Sequence, residues 1–310
     1  MDLKIIQKRN IWYIISILLF VISLIALFVF KLNLGIDFTG GTSLEIKLSN
    51  NVKSNIDLSS GDSFSKYLNE NIANEKTGNI IVQKVNNADF SLKFREIKQE
   101  DKEQLIASLK DKVDSGITEM SFEAIGPILG NELKNKTVVA ITISLIAIVI
   151  YVAFAFRKSS YPIKSWKYGI IAILGLLHDI VITVGVFAIL GHFFNVEIDI
   201  LFITALLTIL GHSIMDTIVV YDRIRENLRK SNDSFETVAN TSINETLARS
   251  INTSVATLLS LFAVFFFGGD SIKMFALALI VGITLGTYSS IFMASPLLVD
   301  LYRLENKKKK

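Results

Sequence analysis

Six stretches of this chain, residues 11–30, 138–156, 168–190, 200–221, 251–267 and 272–299, are dominated by apolar side chains. A helix rising 1.5 Å per residue needs about 20 such residues to cross a hydrocarbon core about 30 Å thick. Inside lipid every backbone N–H and C=O must be bonded within the protein, which leaves helices and closed barrels as the ways across. Runs of this length therefore predict an α-helical polytopic membrane protein with six transmembrane helices. Of the 310 residues, 51% are hydrophobic and 20% charged. That is too apolar for an ordinary soluble domain and too charged for a chain that is all membrane, so the two kinds of surface must occupy separate blocks.

The charges give the orientation. Residues 1–10 carry Lys4, Lys8 and Arg9, and the loop RKSSYPIKSWK after the second run carries four Lys or Arg. The loop GHFFNVEID after the third run has none, and LYRLENKKKK forms a basic tail over 300–310. The positive-inside rule then predicts both termini in the cytoplasm, with residues 31–137 on the far side. The first run leads into KLNLGIDF without a small-residue cleavage site, which reads as a retained span rather than a signal peptide. Residues 222–250 open with DRIRENLRK. They then place Asp233 and Glu236 at capping-box spacing ahead of a stripe of Phe235, Val238, Ile243 and Leu247. This predicts a cytoplasmic amphipathic helix lying along the membrane surface.

The block between the first two spans is soluble in character. SLEIKL alternates apolar and polar side chains at the period of a half-buried strand. A helix follows over 63–75, then strands over 80–85 and 89–97 around an Asn86-Asn87 turn, a second helix over 101–113 and a strand over 117–125. The order βαββαβ predicts an α+β domain with the ferredoxin-like split motif. Its carboxylates are scattered among lysines, as on a solvated surface. Just ahead of it, GIDFTGGT holds Asp37, Gly40 and Gly41. Gly40-Gly41 can adopt backbone conformations barred to other residues, either as a turn into the first strand or as a hinge.

Several chemistries are excluded. The chain has no cysteine, so disulfides, zinc–thiolate sites and thiol catalysis are out. His178, His192 and His212 all fall in the apolar half, leaving no soluble histidine site, and neither a metal site nor a cofactor is indicated. A net charge of +3 gives no support for nucleic-acid binding. What remains is charge inside the membrane. A carboxylate at a span's centre costs roughly 2.5–3.5 kcal/mol on insertion scales and normally faces a protein interior or a water path. Asp179 lies near the middle of the third span and Asp216 in the inner half of the fourth. Arg249 closes the segment before the fifth span, at a depth that makes it the expected partner of Asp216. Thr217 and neighbouring hydroxyls can hold water or bond between helices. His178 and His212 are candidates to support a proton relay, since their charge changes near neutral pH, whereas His192 sits in a loop. The functional reading of Asp216, Asp179 and Arg249 is a proton relay; the structural one is a fixed polar clamp.

Together, LNLGIDFTGGTSLEIKL, the His-Asp pair in LGLLHDIVITVGVFAIL, TILGHSIMDTIVVYDRIREN and INETLARSINTSVATLL resemble the SecF branch of the SecD/SecF family. The resemblance covers nearly the whole chain in order; the fourth-span motif is its most specific part, and GIDFTGG is shared with SecD. It implies an RND-like arrangement of the helices and an accessory subunit of the Sec protein translocase. Such a subunit forms a heterodimer with SecD and works beside SecYEG and YajC on preproteins driven by SecA. Protons flowing down their gradient promote late-stage export. It further implies that Asp216, Arg249 and Asp179 serve the relay. The family usually has Tyr and Asn where this chain has His212 and Met215, so an amide beside Asp216 is lost, and His212, one turn earlier, is the candidate replacement. Two other functions stay open: an RND-type exporter of small solutes, and a scaffold for SecD that conducts no protons.

Overall fold

In the computed structural model, the described residues are 3–49, 52–53, 56–58, 60–84, 88–156 and 163–307. In chain order they form α1 (Arg9–Phe30), α2 (Ile36–Thr39), β1 (Gly41–Lys47), α3 (Gly61–Asn71), β2 (Ile81–Lys84), β3 (Asp89–Phe94), α4 (Gln99–Lys112) and β4 (Thr118–Ile125). The rest is helical: α5 (Pro127–Ala155), α6 (Ser165–Phe194), α7 (Ile200–Lys230), α8 (Phe235–Phe267), α9 (Asp270–Ser289), a π-helical turn (Ser290–Ala294) and α10 (Ser295–Lys307). The chain divides into two units, one of Met1–Asn33 with Val139–Lys310, the other Leu34–Val138.

The first unit is helical. Six helices among the described residues are long and apolar enough to cross a membrane, the last built from α9, the π-turn and α10. α6, α7 and this last helix bury about half of their apolar stretch, while α1, α5 and α8 leave most of theirs exposed. Phe28, Ile150, Leu259 and Phe267 are among the side chains left outside. Apolar exposure on this scale suits a surface covered by hydrocarbon or by other helices. Packing within the bundle depends on small residues. A Cβ on Gly282 would come within 2.1 Å of Ile209, and one on Gly286 within 2.8 Å of Ser213, so α9 lies directly against α7 along this small-residue stripe. Gly185 does the same for α6 against Ser23 of α1, at 2.3 Å.

Where the sequence suggests a separate surface helix over 222–250, the structure has the end of α7 and the start of α8. The break between them is short, and Ser234 caps α8, its hydroxyl accepting a hydrogen bond from the Thr237 N–H at 3.2 Å. The cap is thus one residue past the Asp233–Glu236 spacing, and Asp233 instead accepts from the Ser231 hydroxyl at 2.7 Å. The expected stripe is nevertheless the buried one: Phe235, Val238 and Ile243 are in the core. α7 opens on Asp199, which accepts from the Phe202 N–H at 2.8 Å. The Asn86-Asn87 turn, most of the basic loop after α5 and the last lysines of the tail lie outside the described residues.

The second unit is a four-stranded antiparallel sheet in the order β2-β3-β1-β4 with two longer helices, α3 and α4. The element order from β1 to β4 is the βαββαβ read from the sequence. Leu44 stands opposite Leu92 on one side and Phe122 on the other, and a bulge at Glu45/Ile46 shifts the pairing with β4. The face that carries Leu44, Ile46, Phe90 and Leu92 packs on Phe64 and Leu68 of α3 and Leu105 and Leu109 of α4. Each fully buried side chain of this kind stabilises by roughly 1.5–3 kcal/mol relative to exposure. At the end of α4, Asp114 accepts from the Ser49 N–H (2.5 Å), the Ser49 hydroxyl (2.7 Å) and the Gly116 N–H (2.8 Å).

Candidate functional site

Asp179 is fully buried at mid-length in α6. Its Oδ2 accepts from two hydroxyls on different helices, Ser213 of α7 at 2.7 Å and Ser289 of α9 at 2.8 Å. Its Oδ1 lies 3.1 Å from Nδ1 of His178. One carboxylate therefore joins three helices, and it can do so because Gly286 lets α9 approach Ser213. Thr183 bonds to the Asp179 carbonyl one turn on, at 2.8 Å. The His178 ring is buried and stacks near Phe20 of α1 at 6.3 Å, and its Nε2 has no hydrogen-bond partner among the described residues.

Asp216, on α7, is also buried. Its Oδ2 accepts from Thr287 of α9 at 3.3 Å, and Thr287 in turn meets Ser254 of α8 at 2.6 Å. His212 stands one turn before Asp216 and interacts with it electrostatically. Its Nδ1 is buried without a hydrogen-bond partner among the described residues. Thr217 turns away from Asp216 to Ser290, 2.9 Å distant, whose hydroxyl also donates to the Gly286 carbonyl at 2.7 Å. Met215 points outward and is 66% exposed, so the position next to Asp216 in sequence is not its neighbour in space.

The structure does not bring Arg249 to Asp216: among the described residues no ion pair joins them. The level of α8 that reaches Asp216 through Thr287 is Ser254. Arg249 lies five residues earlier, about 7.5 Å along the helix axis at 1.5 Å per residue, and on the exposed side. It lines a cleft of about 430 Å³ together with Asp222, Arg223, Glu226 and Glu245. Arg223 is held there by Glu226 and Glu245, each at 2.6 Å.

Of the remaining candidates, His192 stacks on Phe30 with ring centres 4.4 Å apart, a packing contact at the ends of α6 and α1. Asp37 is in the first turn of α2. Gly40 and Gly41 have φ of +73° and +129°, and a Cβ at Gly40 would meet Pro127 at 2.7 Å. Both glycines lie inside the second unit, at a tight turn into β1. Ser289, Ser290 and Thr287 were missed in the sequence. Their trace was the polar run Thr287 to Ser290 inside an apolar span, four residues that include every α9 partner of the two carboxylates.

The family model described as protein export membrane protein SecD/SecF, C-terminal, matches residues 105–304, and the SecD/SecF GG motif matches residues 25–52. The chain is 44% identical over 301 residues to a protein translocase subunit SecF of Thermobaculum terrenum, covering 96% of this chain and 93% of the relative. It is 37% identical to a SecF of Sebaldella termitidis, covering 100% and 95%. The crystal structure of SecDF, a translocon-associated membrane protein from Thermus thermophilus, superposes with a TM-score of 0.82 at 32% identity. The match covers 97% of this chain and 39% of that one, so the chain spans well under half the length of the solved SecDF. With the six helices, the four-stranded domain and the motif order all in agreement, the chain belongs to the SecF family of protein translocase subunits.

Proposed function

We propose that the chain is the SecF-type accessory subunit of a bacterial Sec translocase, working with SecD to draw on the proton gradient during late preprotein export. The observation that carries this reading is the pair of carboxylates, Asp179 and Asp216, buried in a six-helix membrane bundle and partnered among the described residues by hydroxyls and neighbouring histidines rather than by Lys or Arg. A hydroxyl can donate to a carboxylate and accept from a carboxylic acid, so either protonation state of these groups finds a partner. A permanent clamp would favour a fixed countercharge. Each carboxylate takes up and releases one proton, forming and breaking only its own O–H bond, beside a histidine placed to pass it on: His178 at 3.1 Å from Asp179, and His212 one turn before Asp216 on the same helix. No covalent catalysis is involved. Arg249, at the cleft beside Asp222 and Glu245, sets the charge at one end of the path. The basic segments support a cytoplasmic position for this end and for both termini, in a bacterial inner membrane. SecYEG, YajC and SecA-driven preproteins complete the assembly.

A detergent pull-down of the tagged chain tests the assignment. SecD should return in stoichiometric yield, and its absence contradicts the reading. The small-solute exporter alternative predicts that deletion changes drug sensitivity while reporter secretion stays normal. The scaffold alternative predicts that replacing Asp216 or Arg249 alters only the yield of SecD.

A further inference from the structure

Two hydroxyls on one oxygen of a fully buried carboxylate is an unusual concentration of donors, and the second of them stands at a break in its helix. Ser289 ends α9, and the next residue begins the π-helical turn. Single π-turns inside α-helices are uncommon and concentrate at functional sites. Here the turn is held by side chains. The Ser295 hydroxyl donates to the Ser290 carbonyl at 2.7 Å, the Tyr221 hydroxyl to the Ala294 carbonyl at 3.3 Å, and Ser290 bonds to Gly286 and Thr217. The Ser289 hydroxyl has an alternative acceptor, the Gly286 carbonyl at 3.2 Å, to which it also points. It thus stands between a carboxylate on α6 and its own helix.

We propose that Ser289 is a positioning residue for Asp179, coupling the charge on that carboxylate to the π-helical turn of the last span; this rests on the proton-relay reading above. When Asp179 is ionised, Ser213 and Ser289 both donate to Oδ2 and draw α7 and α9 onto α6. When it takes a proton, the carboxyl group offers a donor of its own, and Ser289 is released to the Gly286 carbonyl. The turn that begins at Ser290 then loses its anchor on α6. The groups facing Asp179 are few. α6 supplies His178; α7 supplies Ser213, flanked in sequence by His212, with Asp216 further along; α9 supplies Ser289. α1 presents Phe20 to the His178 ring and carries no charge along residues 11–30. His178 is therefore the titratable group in direct contact.

The test uses the full chain reconstituted with its SecD subunit in lipid vesicles, with proton uptake read by an entrapped pH-sensitive dye across a range of external pH. Ser289→Ala removes a donor from the ionised form, which favours proton binding. The midpoint of the uptake profile should move to higher pH by about one unit, tenfold in the proton-binding constant. Ser289→Thr, which keeps the hydroxyl, should restore the midpoint, and Ser213→Ala should shift it in the same direction. A Ser289→Ala profile scaled down uniformly with its midpoint unmoved would mean a purely structural role and overturn the proposal. So would an unmoved midpoint in both serine variants while Asp179→Asn blocks uptake. If Asp179→Asn itself takes up protons like the unmodified chain, the relay reading fails first, and the role of Ser289 falls with it.

Discussion

Asp114, Asp179 and Asp216 are the carboxylates buried among the described residues, and their donors set them apart. Burial alone would raise the Asp114 carboxyl, but the Gly116 N–H and the hydroxyl and N–H of Ser49 together hold it below the usual carboxylate range. Two of its three donors are backbone groups and cannot reverse. A group whose folded-state value is depressed contributes stability that is present above its unfolded value, about 3.9 for Asp, and lost as pH falls through the folded one. Protection of strands β1 and β4 against hydrogen exchange should therefore hold above about pH 4 and weaken below it. Asp114→Ala should weaken it at neutral pH as well, by about 1–3 kcal/mol, by stranding those donors. Asp179 and Asp216 have hydroxyl partners instead, and among the described residues Asp216 has a single one, Thr287 at 3.3 Å. That both carboxylates lie buried in the bundle was legible in the sequence, because a charge in an apolar run stands out. Their partners were not: serines and threonines are common in such runs, and only the rotation of each helix decides which of them face inward.

That rotation is set at the scale of the element. The sequence showed six apolar runs, and six helices cover them, but the runs understate several of the helices. α7 continues nine residues past the run ending at Tyr221, and α8 begins well before residue 251, because helical hydrogen bonding continues where the side chains turn polar. The π-turn was not legible at all. One extra residue in a turn rotates everything after it by about 100° at 3.6 residues per turn, and no residue type marks the place. The glycines make a direct test of the packing. Gly286→Ala sets a methyl against Ser213 and should destabilise the bundle by about 1–3 kcal/mol. Gly211, in the same region of the bundle, has open space where a Cβ would go. Gly211→Ala should be neutral or stabilise by up to about 1 kcal/mol, since alanine is the better helix former. Thermal unfolding of the two variants in detergent compares them directly, and equal losses would contradict the packing described.

At the scale of the whole molecule, the pattern of spans and the soluble βαββαβ block were readable because both follow from periodicity and charge. Pairing between distant residues was the weak point. Counted from the ends of their own apolar runs, Arg249 and Asp216 are level, but α8 begins inside the polar segment and reaches Asp216 from Ser254 through Thr287. Arg249→Ala should accordingly leave the yield of co-purified SecD unchanged, because its side chain lines the open cleft and, among the described residues, forms no ion pair between helices. Gradient-dependent export should fall several-fold. The central claim is that protons move through this bundle by way of its buried carboxylates. Its most direct measurement is secretion of a reporter preprotein by the Asp216→Asn variant, with and without an imposed proton gradient, in membranes where the variant is shown to assemble with SecD. The account predicts that the variant assembles normally and that the gradient no longer stimulates export. Undiminished stimulation by the gradient in an assembled variant would contradict it.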